Sequence, residues 1–416
     1  MMNKLWIVFG LLILLTGCYD RIELEQQSYV IAMGIDKTEN KGVYAFTYQI
    51  ANPEVGSAAG QGGSNEPASE IVTVHGADIL SATYTANSFV SKKITLDHTR
   101  IIVISEELAR NPDFIRVIQS ASRSPQIRRG VQLVVSKEKA SEFINNNQPV
   151  MEQRPHKYFQ FMLDRADQTG IIPAASLHRF FQITEGDADL FLAIYASTKK
   201  DKKQEQGKNK LEDEYIAGQI PQLGGSPTQF MGAGVFKEGK MIDTLDGEEV
   251  RIVHILDNTL ELNNYLTTMP DPFDPEFQLS YNYSQKQNAK VDITYHQDKP
   301  TEIDVLVPFQ IEVIAIPSLI RYAHDQEKQD ALENAITKRL EEKTMEIIKK
   351  AQEQYKSDPF YWSLYIRHEF TNIKQYEKAD WHKKIFPNAE VNVTYQLDKL
   401  EFGKMLDDSN LDRVRD

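Results

Sequence analysis

The residues best suited to chemistry are one thiol, nine imidazoles and two glycine-rich stretches. The histidines stand at His75, His98, His156, His178, His254, His296, His324, His368 and His382, with no His-Glu-x-x-His pair and no cysteines at zinc spacing. This scatter defines no metal site, because tetrahedral zinc draws its ligands from short, fixed spacings. Gly224-Gly225-Ser226 continues into Pro227 and Thr228, which reads as a turn and not as the G-x-S-x-G elbow of a hydrolase. From Gly234 to Gly239-Lys240 the spacing matches the first part of a phosphate-binding loop, but Met241 stands where a hydroxyl must hold Mg²⁺. Alternating apolar residues continue on both sides of Gly239, so a hairpin is expected. In Met231-Gly232-Ala233-Gly234 the third glycine of a dinucleotide fingerprint is replaced by Lys237. Asp and Glu total 60, which guarantees chance pairs, so no catalytic, metal-binding or cofactor-binding residue is assigned.

The thiol is more specific. Cys18 is the only cysteine, and it follows an unbroken apolar run from Leu5 to Leu15 and the small residues Thr16 and Gly17. Met1-Met2-Asn3-Lys4 supplies the short, positively charged start of a signal peptide. As a helix the run spans about 16 Å, roughly half of a ~30 Å hydrocarbon core, which favours cleavage over a permanent span. Leu15-Thr16-Gly17-Cys18 resembles the bacterial lipobox, whose cysteine receives a diacylglyceryl group before the leader is cut. Residues 1–17 are therefore read as a lipoprotein signal peptide. Cys18 becomes the first mature residue, carrying S-diacylglyceryl and N-acyl groups. Two acyl chains suffice for durable anchoring, since each buried CH₂ contributes ~0.8 kcal/mol and a single chain is marginal. With Cys18 modified, no cysteine remains for a disulfide.

Composition narrows the classes further. Lys and Arg total 47, giving a net charge of -13, which excludes a nucleic-acid coat protein because that function needs a basic face to displace counterions. The same charge repels an anionic bilayer, so residence at a membrane requires the hydrophobic device at Cys18. A mean hydropathy of -0.45 and the lack of a second long apolar run exclude a polytopic membrane protein.

The elements that must position any function follow from periodicity. Residues 29–35 and 43–50 read as a hairpin around Asp36-Lys37-Thr38-Glu39-Asn40-Lys41-Gly42, and 56–70 as a Gly- and Ser-rich surface loop. Strands at 71–74, 101–104, 131–135 and 190–196 alternate with helices at 77–90, 112–121 (capped by Asn111), 151–167 and 174–184, a layered α/β pattern. Residues 199–214 hold one apolar side chain, Leu211, and mark a charged linker or loop. Beyond it, 230–236 and 240–245 form strands and 247–258 a helix. Alternation at 277–283, 291–295 and 303–307, where Pro308 interrupts, indicates an antiparallel meander. A long amphipathic helix over 325–355 should lie across it, and 391–397 adds a final strand. The aromatics Phe360, Trp362, Tyr365, Phe370, Trp381 and Phe386 read as core packing, since they recur at helical spacing.

The fold class is thus multidomain α+β (mixed α/β), with an N-terminal layered α/β region and a C-terminal antiparallel sheet packed by a long helix. The expected division is an N-terminal domain at 18–198, the charged segment at 199–214, a C-terminal domain at 215–405 subdivided near 260, and a tail at 406–416.

Several segments together resemble the Ger(x)C family, the lipoprotein C subunits of nutrient germinant receptors in endospore-forming bacteria. The carrying residues are Leu15-Thr16-Gly17-Cys18 with Tyr19-Asp20-Arg21-Ile22-Glu23-Leu24, then Met33-Gly34-Ile35-Asp36-Lys37 with Tyr48-Gln49-Ile50-Ala51-Asn52-Pro53. Ile102-Val103-Ile104-Ser105-Glu106-Glu107-Leu108-Ala109 and Met231-Gly232-Ala233-Gly234-Val235-Phe236-Lys237 complete the set. The chain departs from the family at Asp358, where Pro359-Phe360-Tyr361-Trp362 replaces a glycine-and-aromatic turn. The resemblance implies a non-enzymatic subunit without cofactor, held by lipid on the outer face of the spore inner membrane. Its implied partners are a polytopic A subunit and a transporter-like B subunit, and it leaves a direct small-molecule ligand unknown. A lipid-anchored extracytoplasmic solute-binding protein is the alternative, and an envelope hydrolase stands third.

Overall fold

A computed structural model describes residues 26–51, 67–147, 149, 152, 154–186, 189–200, 210–261 and 264–404. The first sheet contains β1 (Gln27–Lys37), β2 (Tyr44–Ala51), β3 (Ser69–Gly76), β4 (Lys93–Thr95), β5 (Ile101–Ser105), β6 (Gln132–Ser136), β7 (Phe191–Ser197), β8 (Gln229–Lys237) and β9 (Lys240–Leu245). Their order is β3-β2-β1-β5-β6-β7-β8-β9, with β4 beside β1. Strands β1, β5, β6 and β7 run parallel, and antiparallel pairs extend the sheet on both sides. The helices of this region are α1 (Ile79–Ala86), α2 (Glu106–Ala109), α3 (Phe114–Arg123), α4 (Ala140–Asn146), α5 (Pro155–Gln168) and α6 (Leu177–Thr184).

Local chemistry sets the boundaries. Asp78 and Ser81 form a reciprocal capping box at α1. Helix α3 starts two residues later than its pattern suggests, because Asn111 Oδ1 accepts the Asp113 N–H at 2.9 Å and closes a turn before the helix. Helix α4 has too short an apolar pattern to be read from sequence. It is fixed from a distance: the Ala140 and Ser141 N–H groups donate to the Asp36 carboxylate at 2.7 and 2.9 Å. Gly34 makes this approach possible, since a Cβ there would meet Ile144 Cδ1 at 2.9 Å.

The charged segment at 199–214 does not separate two sheets. Strands β7 and β8, on either side of it, pair antiparallel from Phe191↔Phe236 to Ser197↔Gln229. An insertion between paired strands and a linker between domains have the same charged composition, and the end of this segment is not solvated, since Leu211 and Asp213 are buried. Residues 201–209 of it, the segment 52–66 and the tail beyond 404 lie outside the described residues. Alternation lets β7 and β8 wall two cores: Phe191, Ala193 and Phe236 face the N-terminal core, while Leu192, Ala233 and Val235 face the second.

The second region opens with α7 (Gly247–Leu256) and a sheet of β10 (Tyr265–Pro270), β11 (Gln278–Ser284), β12 (Lys290–Thr294), β13 (Glu302–Ala315) and β14 (Glu390–Glu401). Helices α8 (Gln326–Lys350), α9 (Ser363–Ile366) and α10 (Ile373–Ala379) lie between β13 and β14. The sheet is antiparallel except at its last strand, because the long connection through α8 returns β14 parallel to β13. Leu332, Ile336, Leu340, Ile347 and Ile348 put the apolar stripe of α8 into the second core. Pro308 does not end β13. Beside β11 and β12 it sits in a gap, since β12 pairs only as far as Leu306 and β11 starts at Gln310, while the pairing with β14 continues through Pro308↔Gln396.

Candidate functional site

Cys18 and its leader lie outside the described residues, so the geometry that can be built is that of the seam between the two regions. Asp189 and Leu190, at the entry to β7, meet the 357–363 turn. The Leu190 N–H donates to Asp358 O at 3.1 Å, and the Tyr361 hydroxyl donates to Leu190 O at 2.9 Å. Ser363 Oγ donates to Asp189 Oδ2 at 2.9 Å. The Asp358 carboxylate accepts the Phe360 N–H at 2.7 Å, the Ser363 N–H at 3.1 Å and the Trp381 indole N–H at 3.3 Å. Burial pushes Asp358 up to about 7, against these donors, which favour its charged form. Arg179 of α6 stacks over the Tyr361 ring at 4.4 Å and pairs with Asp257 beyond α7 at 2.6 Å. The 357–363 turn thus locks one region onto the other.

One arrangement here imitates a catalytic triad. Ser357 Oγ lies 3.4 Å from His382 Nδ1, and His382 Nε2 lies 3.5 Å from Asp189 Oδ1. Proton transfer between nucleophile and base needs about 2.6–3.2 Å and a substrate beside the nucleophile. Ser357 is fully buried, and both spacings are longer. The chemistry available to this trio is packing and polar contact.

A second buried knot holds the chain where it leaves the charged segment. Arg251 of α7 donates to Asp213 Oδ2 at 2.7 Å, to Thr169 O at 2.8 Å and to Leu266 O at 3.0 Å, and it stacks over Tyr265 at 4.5 Å. Thr267 Oγ1 donates to the same Asp213 oxygen at 2.7 Å. Sequence reasoning missed this knot, and its one signal was an arginine between Val250 and Ile252 on an otherwise apolar face. Nearby His254 is pushed down to about 4, first by burial and then by Arg179 and Arg251, so it is neutral near pH 7.

Between α7 and α8 lies an open groove of about 730 Å³ lined by Asp246, Glu248, Glu249, Lys343 and Lys350. Its charges are already matched: Glu248 pairs with Arg339 and Lys343, and Glu249 with Lys350. Asp246 caps α7 by accepting the Glu249 N–H at 2.9 Å, and burial followed by the Glu249 charge pushes its carboxyl up to about 7. Among the described residues no group of three or more His, Cys, Asp or Glu side chains is placed to hold a metal, and no helix is long and apolar enough to cross a membrane.

The segments that carried the resemblance serve structure. Gly34 and Asp36 seat α4, and Glu106 accepts the Tyr195 hydroxyl. Residues 231–237 form most of β8, where Glu238 and Gly239 both adopt positive φ, of 51° and 75°, in the tight turn expected of a hairpin. Lys237 reaches across the seam to Tyr355 O at 2.7 Å. The aromatics of the C-terminal region pack together, with Phe360 and Trp362 4.6 Å apart and Trp381 and Phe386 5.7 Å apart.

A mixed α/β body of two sheets with a shared wall is the class defined by this geometry. Residues 20–196 match the family model of the spore germination protein N-terminal domain, and residues 231–403 match the spore germination B3/GerAC-like C-terminal model. The chain belongs to the Ger(x)C family of spore germination proteins. It is 24% identical to spore germination protein B3 of Bacillus subtilis (strain 168) over 96% of this chain and 98% of that one. Spore germination protein KC of the same organism is 31% identical over 33% of this chain and 34% of its own length. The crystal structure of the GerBC protein shares the fold, with a TM-score of 0.50 at 17% identity over 88% of this chain and 96% of that one.

Proposed function

We propose that this chain is the lipid-anchored, non-enzymatic C subunit of a spore nutrient germinant receptor. It acts at the outer face of the spore inner membrane, with a polytopic A subunit and a transporter-like B subunit as partners. The observation that carries this reading is the ordered match to both germination models, at 20–196 and 231–403, immediately behind a leader ending in Cys18. The sealed Ser357–His382–Asp189 trio and the charge-matched groove favour a body that binds partners over one that turns over a substrate. Acylation of Cys18 confines the body to a surface, where its effective concentration toward integral partners is far above its bulk value, so modest contacts suffice.

The test is deletion of the gene, followed by dipicolinate release from purified spores across single nutrients with dodecylamine as a receptor-independent control. Loss of response to some nutrients, restored by complementation and with the control intact, is expected. An unchanged response to every nutrient in a strain lacking its other receptors would overturn the reading.

A further inference from the structure

At one end of the parallel strands, the loops entering β4, β5 and β6 lie side by side. Gln27, at the start of β1, pairs with Lys93. The Arg100 N–H donates to Ile31 O at 2.8 Å, and the Gln132 N–H donates to Arg100 O at 3.0 Å. The Leu96 N–H reaches Gln126 Oε1 at 3.4 Å. Helix α1 ends at the same place, where Asn87 Oδ1 accepts the Ile94 N–H at 2.8 Å.

Two segments at this end reverse the sign of the molecule, while Glu70 stands at the start of β3 farther along the same edge. Segments 84–100 and 121–132 carry Lys92, Lys93, Arg100, Arg123, Arg128 and Arg129 against a single carboxylate, Asp97, in a chain whose net charge is -13. Lys93 and all four arginines are exposed. Beside them stand large apolar side chains in water: Tyr84 is 83% exposed, Phe89 58% and Leu80 47%. Leu80 and Tyr84 are one turn apart and share the outer face of α1. Ile373, another exposed apolar side chain among several in the described residues, has a different setting, since it shares its hollow with Glu185, Glu377 and Arg367.

The chain also leaves the sheet here. Cys18 stands nine residues before Gln27, a reach of at most about 30 Å when fully extended. The intervening stretch carries Arg21 against Asp20, Glu23 and Glu25, a net negative charge, so the excess of cations at this end comes from the sheet's loops and not from the tether. We infer that this end of the N-terminal sheet is a docking surface for an anionic lipid membrane. Tyr84 settles at headgroup level, where its amphipathic ring is favoured, and Phe89 enters the boundary between headgroups and acyl chains. Lys93, Arg100, Arg128 and Arg129 meet lipid phosphates, which guanidinium groups can engage bidentately. The acidic remainder of the protein does not cancel this attraction, because charges beyond a Debye length of ~8–10 Å are largely screened. The surface rests on the Cys18 anchor proposed above and adds an orientation to it.

The full-length lipidated protein tests this in vesicles of phosphatidylcholine and phosphatidylglycerol. Acylation occupies the native sulfur, so Ser91→Cys or Ile373→Cys each gives one free thiol for a fluorophore. Brominated lipid should quench the label at 91 and spare the label at 373. Combining Lys93→Glu, Arg128→Glu and Arg129→Glu should cut quenching at 91 at least about twofold while the protein still floats with vesicles and keeps its melting temperature. A floating protein quenched equally at both positions, or more at 373, overturns the surface and leaves the anchor standing; that result is also expected if this face serves another subunit. Flotation of the Cys18→Ala chain with quenching at 91 retained overturns the anchor and leaves the surface. Failure of the lipidated chain to float overturns both.

Discussion

Strand β7 is buried along its whole length, whereas β11 alternates buried and half-buried residues. The contrast holds for the two regions. The parallel strands of the N-terminal sheet are covered on both faces and read as continuous apolar runs, as in Ile101–Ile104 and Leu133–Val135. The second sheet keeps one face toward α8 and α7 and shows the period of two. The aromatic content of the two cores differs less sharply. The second core buries Tyr265, Tyr281, Tyr283 and Tyr395, all with hydroxyls pushed up by burial; the N-terminal core buries Tyr48, Tyr158 and Tyr195 in the same way and adds a cluster of the phenylalanines Phe114, Phe180, Phe191 and Phe236. Covering a sheet on both faces makes its strands read as apolar runs, while covering one face leaves the period of two; buried polar groups need partners in either case, as Asp36 does at α4.

The boundary between the regions can be broken outright. A chain ending at residue 198 loses β8, which pairs with β7 and walls both cores, and should not form a folded monomer. A chain nicked at Gly207 keeps the pairing and should run as one particle in size-exclusion chromatography. Separation of the nicked halves into two folded pieces would show that the shared wall is dispensable. The Arg251 knot gives the next largest effect. Arg251→Met leaves Asp213 charged and buried, and chemical denaturation should register a loss of about 3–5 kcal/mol. A loss below about 1 kcal/mol, the scale of a surface pair, would mean that water reaches Asp213.

A smaller effect concerns pH. Asp246 is pushed up to about 7 in the folded protein from an ordinary carboxylate value, so the folded state holds a proton that the unfolded state has released. Its contribution is fully present below about pH 4 and is lost as pH rises toward about 7. Asp246→Asn keeps an oxygen for the cap and removes the titration, so the fall in melting temperature between these pH values should become shallower. An unchanged slope would assign the pH dependence to other groups.

Much of this arrangement was legible because its causes are local. The β1–β2 hairpin, the alternation of strands and helices, the β8–β9 turn at Gly239 and the stripe of α8 each follow from periodicity or turn chemistry within a few residues. The shared wall was not legible, since residues 199–214 advertise a boundary while the β7–β8 pairing is decided by residues some forty positions apart. Pro308 misled for the same reason: whether a proline ends a strand depends on its neighbours, and here β11 and β12 leave a gap beside it while the pairing with β14 carries β13 through. The Ser357–His382–Asp189 trio shows the reverse error, in which convergence in space suggests chemistry that burial then denies.

The sequence by itself determined the class of protein, the mixed α/β fold and the single thiol on which an anchor would be built. Those depend on residue type, short-range spacing and ordered motifs, all of which are properties of the chain. Only the tertiary structure decided that two regions share one sheet, that Arg251 and Asp213 meet, and that the scattered cations of three loops gather at the end where the chain leads back to Cys18. These are relations between distant residues, and they are fixed when strand pairing and burial select one register among many that the local pattern allows.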